Sequence, residues 1–124
     1  MRRRTLLKGV AATAATGLFG RRAAADTPLK MGISIPLTGA GFAAVGRQAT
    51  TAIKLYMQQH GDTVAGRKIQ LTIRDDGGVA DMAHRIIQDM IVNDKVDIVG
   101  IGITPTSLAV APLITQAKKA TLVI

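Results

Sequence analysis

The apolar positions of this chain change period several times, and each change marks an element. Leu29, Met31, Ile33 and Ile35 alternate with polar or small residues, the period of two that predicts a half-buried strand. Pro36 and the run Thr38, Gly39, Ala40, Gly41 break it as a loop. Phe42, Val45, Ala49, Ala52, Ile53, Tyr56 and Met57 then recur at helical spacing over four turns, and Gly61 after His60 is a good terminator. A loop over 62–66 leads to residues 68–74, where Ile69, Leu71 and Ile73 alternate again as a second strand. Asp75, Asp76, Gly77 and Gly78 end it.

Residues 80–93 predict a second helix, with Ala83, Ile86, Ile87, Met90 and Ile91 facing one way and Arg85, Gln88 and Asp89 the other. The stretch VDIVGI at 96–101 is nearly all apolar, as suits a strand covered on both faces. After a loop at 102–105, residues 107–120 predict a third helix. Pro112 must fall near its first turn or bend it, because proline cannot donate to the carbonyl four residues back. Residues 121–124 (TLVI) start a fourth strand.

Strands separated by helices imply an α/β domain: an open parallel sheet in a three-layer α/β/α arrangement with right-handed crossovers. The last strand has no helix after it, so we expect a piece of a longer protein, with a modest core and an exposed apolar flank.

Charge enters the picture through its placement. The formal net charge is +8, with 16 basic and 8 acidic residues. Six of the basic residues lie in 1–25, where no acidic residue occurs, so the rest of the chain carries only 10 − 8 = +2. With aromatic residues at 2%, base stacking has little to work with, and nucleic acid is not expected as a partner.

The basic N-terminus, the mildly apolar stretch GVAATAATGLFG and the small residues up to Ala25 form the three parts of an export signal. Arg3 and Arg4, followed by Thr, Leu, Leu and Lys, resemble the twin-arginine motif. We expect a signal peptide at 1–25, cleavage after Ala25 and an exported body at 26–124. The chain has no cysteine, which removes disulfides, thiolate metal sites, Cys nucleophiles and lipid attachment through cysteine. A periplasmic, soluble protein without a lipid anchor is the expected outcome.

In open parallel sheets, ligands collect beyond the C-terminal ends of the strands. The loop after the third strand offers Thr104, Thr106 and Ser107 just before a helix, whose free N–H groups and positive dipole end suit a carboxylate. Helix capping by Ser107 or Thr106 accounts for the same hydroxyls equally well. Gly39 and Gly41 form a G-x-G, but the third glycine of a dinucleotide fingerprint is misplaced. Phe42 serves either as a pocket wall or as part of the first helix's core. Adjacent Asp75 and Asp76 on an extended strand point to opposite sides, which favours turn formation over joint chelation. His60 and His84 stand alone, and no nucleophile elbow is present. No catalytic residue, metal or cofactor is expected.

Taken in order, ISIPLTGAGFAAVG, TTAIKLYMQQ, AGRKIQLTIRDDGG and RIIQDMIVNDKVDIVGIGITPTSLAVAP resemble the periplasmic substrate-binding proteins of branched-chain amino-acid ABC transporters, the leucine/isoleucine/valine-binding type. The resemblance spans 29–124 and implies part of the first lobe of a two-lobed clamshell. It also implies a non-catalytic receptor that delivers an amino-acid-like ligand to an ABC transporter permease. By position, the ligand carboxylate would fall to Thr104, with Ile103 and Thr106 beside it, and Phe42 and Val45 would border the ligand. An exported α/β enzyme with its catalytic part elsewhere, or a vestigial fragment without binding, are the alternatives.

Overall fold

The computed structural model describes residues 27–39 and 41–124. The expected signal peptide, with Arg3, Arg4 and Ala25, lies outside the described residues. Strand β1 (Leu29–Ile35) is followed by helix α1 (Ala43–His60), and a short strand β2 (Thr63–Val64) forms a hairpin with β3 (Arg67–Asp75). Helix α2 (Ala80–Asp89) runs on into a π-helical turn (Met90–Asp94). Strand β4 (Ile98–Ile101), helix α3 (Thr104–Ala117) and strand β5 (Ala120–Val123) complete the order.

The sheet order is β2-β3-β1-β4-β5. The pairs β1–β3, β1–β4 and β4–β5 are parallel, and among the described residues only β2 runs antiparallel, beside β3. The expected parallel sheet is therefore present, with one antiparallel two-residue edge that the sequence pattern did not reveal. Its turn, Ala65-Gly66, has both residues at positive φ (49° and 79°), the backbone of a two-residue hairpin.

Register assigns the two faces. Ile33 stands opposite Ile73 on β3 and Gly100 on β4, while Ser34 stands opposite Arg74 and Ile101. The face that carries Val99 and Ile101 receives α2 and α3. There Ala83, Ile87, Met90, Val96, Val110 and Ile114 close into one core, with Ile86, Ile91 and Leu113 packed against it. The helical spacing expected for α2 is the spacing that is buried. Gly32 leaves room for this packing, since a Cβ there would lie 2.7 Å from the Met90 sulfur.

Helix α1 lies over the opposite face, beside Ile35. Its inward side differs from the expected stripe. Ala43 and Gly46 are buried and Ile53 and Met57 half-buried, whereas Phe42, Val45 and Tyr56 are 49%, 55% and 62% exposed. The cause is Gly46: a Cβ there would sit 1.8 Å from the Pro36 carbonyl oxygen, so only glycine lets the helix backbone rest on the end of β1. That contact fixes the helix's rotation and turns part of the apolar stripe outward.

Helix α3 starts at Thr104, three residues before the expected start at 107, and ends at Ala117. Pro105 occupies the first turn, where its missing N–H has no intrahelical acceptor to lose. Pro112 consequently lies in the helix interior rather than near its start. Helix α2 ends through the π turn, where Lys95 adopts φ 55° and its N–H reaches the Met90 carbonyl. Two ion pairs brace this end: Arg74 binds Asp89 on α2 and, at 2.7 Å, Asp94 on the turn. Hydrogen bonding from Arg74 is the main reason the Asp89 carboxyl is held below its ordinary range.

Candidate functional site

Three connections meet at the C-terminal ends of β1, β3 and β4, where an open parallel sheet presents its ligand face. They are the loop at 36–42, the loop at 75–79, and the step 102–103 into α3. The middle connection touches both others. A Cβ on Gly39 would lie 2.9 Å from the Gly77 carbonyl oxygen, and one on Gly78 would lie 3.7 Å from Ile103 and 3.9 Å from Pro36. Gly102 donates its N–H to the Ser34 carbonyl at 3.0 Å, which ties the third connection to β1.

Charge organises this cluster. The Asp75 carboxylate accepts the Leu37 N–H at 2.7 Å, the Thr38 N–H at 3.2 Å and the Gly77 N–H at 2.9 Å, and the Thr38 hydroxyl as well. The Thr38 hydroxyl, helped by these backbone donors against partial burial, lowers the Asp75 pKa from 3.8 to about 2. From the other side, Arg47 Nη1 donates to the Leu37 carbonyl at 2.9 Å. Asp76 points the opposite way, as expected for its neighbour on a strand. It is 1% exposed, takes the Ser34 hydroxyl at 2.8 Å and the Gly78 N–H at 2.9 Å, and so builds the turn into α2.

The hydroxyl-rich stretch divides its labour. Because α3 begins at Thr104, these residues form its first turn rather than a loop. Thr106 is fully buried, and its hydroxyl donates to the Ile103 carbonyl at 3.0 Å; the Ser107 hydroxyl donates to the same carbonyl at 2.7 Å. Both are back-bonds from side chain to backbone, and neither caps a free N–H as the capping alternative held. Thr104 is exposed. The first intrahelical backbone bond is Ser107 N–H to Ile103 C=O at 2.9 Å. The amides of Thr104 and Thr106 come before it, at the positive end of the helix dipole. Pro105 between them contributes none.

Ile103 is half-buried against the middle connection. Phe42 and Val45 stand exposed at the start of α1, on the same end of the sheet. Asp75 and Arg47 were absent from the candidate binding residues. Asp75 was legible as a turn-former, but its reach to residues 37 and 38 depends on the β1–β3 pairing.

The fold and this loop cluster define an α/β lobe whose three connections gather at the C-terminal ends of β1, β3 and β4. The family model for periplasmic binding proteins matches residues 28–124, and the chain belongs to that family. No curated protein matches the chain. Among solved structures, it is similar to the solute-binding protein of an ABC transporter from Rhodopseudomonas palustris BisB5, solved with 3,4-dihydroxybenzoic acid. The identity is 48% and the TM-score 0.73, over 80% of this chain and 27% of that one. A second R. palustris solute-binding protein, solved with 4-hydroxybenzoate, is 28% identical with a TM-score of 0.69, over 79% and 26%. A leucine-binding protein from Thermotoga maritima is 25% identical with a TM-score of 0.71, over 77% and 27%. The chain thus spans about a quarter of the length of the solved structures it matches.

Proposed function

We propose that this chain forms part of the first lobe of an extracytoplasmic solute receptor for an ABC transporter, and that its loop cluster grips the carboxylate of a small ligand. Export follows the twin-arginine route, the receptor works in the periplasm, and the ligand is handed to a membrane permease. Binding, not bond breaking, is its task.

The observation that carries the reading is the first turn of α3. Thr104 is exposed there beside amides that lie ahead of the first helical bond, which suits an anionic headgroup without a full cation. Thr104 takes the carboxylate, with the Thr106 amide and the Ile103 backbone beside it, and Phe42 and Val45 border the ligand body. The 48% identity to a protein solved with 3,4-dihydroxybenzoic acid favours an aromatic acid over the branched-chain amino acid that the sequence motifs imply. Leucine is the second ligand class, on the weaker likeness to a leucine-binding protein.

The test is a chimera in which residues 28–124 replace the matching segment of the R. palustris BisB5 protein, titrated by calorimetry with 3,4-dihydroxybenzoate, 4-hydroxybenzoate and leucine. We expect both hydroxybenzoates to bind and leucine to bind more weakly. A folded chimera that binds leucine alone would reassign the ligand class. A folded chimera that binds none of the three would remove the receptor reading.

A further inference from the structure

Leu37 is held through both of its backbone polar groups by opposite charges from two different elements. Its N–H goes to the Asp75 carboxylate at the end of β3, and its carbonyl goes to the Arg47 guanidinium on α1. The next residue, Thr38, gives Asp75 both its N–H and its hydroxyl. Pro36 is already pressed against Gly46. The loop then turns through Gly39 and Gly41, both at positive φ (87° and 97°), into Phe42. A segment with two such glycines has little conformational preference of its own.

We propose that Asp75 and Arg47 are positioning residues: together they hold Leu37 and Thr38, at the start of the connection into α1, in the one conformation that sets Phe42 and Val45 at the ligand site. This rests on the receptor reading above. Neither charged group needs to touch ligand. Asp75 accepts four hydrogen bonds, three from the backbone N–H groups of residues 37, 38 and 77 and one from the Thr38 hydroxyl, so it fastens two of the three connections to each other. Arg47 adds a grip from α1, and so sets the loop relative to the helix that carries Val45. An uncharged acceptor of the same shape still satisfies the three amides, since they all converge on one carboxylate oxygen, Oδ1. Asparagine at 75 therefore rescues what alanine loses.

The experiment is amide hydrogen exchange by NMR on the chimera carrying residues 28–124, unsubstituted (wild type) against Asp75→Ala, Asp75→Asn and Arg47→Ala, with 3,4-dihydroxybenzoate affinity measured on the same samples. In Asp75→Ala the Leu37, Thr38 and Gly77 amides exchange at least about tenfold faster, while the amides of β1 and β4 keep their protection. Asp75→Asn keeps most of the loop's protection, and Arg47→Ala loosens Leu37 and Thr38 while leaving Gly77 protected. Where wild type binds the acid, affinity falls about tenfold in Asp75→Ala and is largely restored in Asp75→Asn.

Equal exchange in wild type and Asp75→Ala overturns the proposal, whatever the wild type binds. Faster loop exchange with unchanged affinity also overturns it, because the loop then has no part in the site. Loop protection released by Asp75→Ala in a folded chimera that binds no carboxylate upholds the clamp and defeats the receptor reading instead.

Discussion

Single residues decide how this lobe's loops are placed, and the clearest is Gly46. Its absent side chain leaves room for the Pro36 carbonyl, which a Cβ would approach to 1.8 Å against backbone that cannot yield. Gly46→Ala is expected to destabilise the fold by about 3 kcal/mol, read as a lowered urea midpoint. The sequence could not reveal this. A glycine within a helical pattern reads as a weak point, and its closeness to Pro36 exists only once α1 folds back on β1.

Asp75 carries a pH signature at the same scale. Its carboxyl pKa is lowered from 3.8 to about 2 in the folded protein, so its contribution is fully present above about pH 4 and is lost as pH falls through 2. The stability gap between wild type and Asp75→Asn should stay constant above pH 5 and close between pH 4 and pH 2. A gap that persists unchanged to pH 2 would show that the carboxylate is not held by these donors.

At the scale of elements, local pattern was sufficient where packing follows a single periodicity. Helix α2 buries Ala83 and Ile87, and the π-helical turn that continues it buries Met90, the residues that the spacing over 80–93 selects. Helix α3 was misplaced because hydroxyl and proline residues at 104–107 read as loop. Proline at the second helical position instead starts a helix, and threonine and serine can return their hydroxyls to the preceding carbonyl. That shift separates two threonines that look alike in the sequence. Thr106→Ala should lower stability by about 1–2 kcal/mol, since the Ile103 carbonyl loses one hydrogen-bond partner. Thr104→Ala should leave stability within about 0.5 kcal/mol and weaken binding of a carboxylate ligand about tenfold in the chimera. Equal effects of the two changes on affinity would refute this division.

The β2–β3 hairpin was missed because two residues are too few for a pattern. It also carries a local conflict: Ala65 sits at φ 49°, where alanine is disfavoured. Ala65→Asn should raise stability by about 0.5–1 kcal/mol, measured by chemical denaturation.

For the whole molecule, the order of strands and helices was legible because each βα unit announces itself by a change of period. The motif order reads as a periplasmic binding protein, the family whose model matches residues 28–124, while the branched-chain ligand class rests on the resemblance alone. What stayed hidden is how the connections meet. The contacts among residues 36, 39, 77, 78 and 103 join stretches far apart in sequence, and only the parallel pairing of β3, β1 and β4 sets them side by side. Strand β5 closes the sheet with every residue exposed, and Leu122, Val123 and Ile124 are 52%, 67% and 49% accessible.

The receptor reading places an anionic headgroup at the strand ends, on the first turn of α3. The direct measurement is an NMR titration of the isotope-labelled chimera with 3,4-dihydroxybenzoate and, separately, with its methyl ester. Shifts are expected in the amides of Ile103, Thr104 and Thr106 and of residues 37–39 and 41–42 with the acid, with little response to the ester. Shifts gathered instead at Lys30, Asn93 and Asp94, at the opposite end of the sheet, or equal responses to acid and ester, would contradict it.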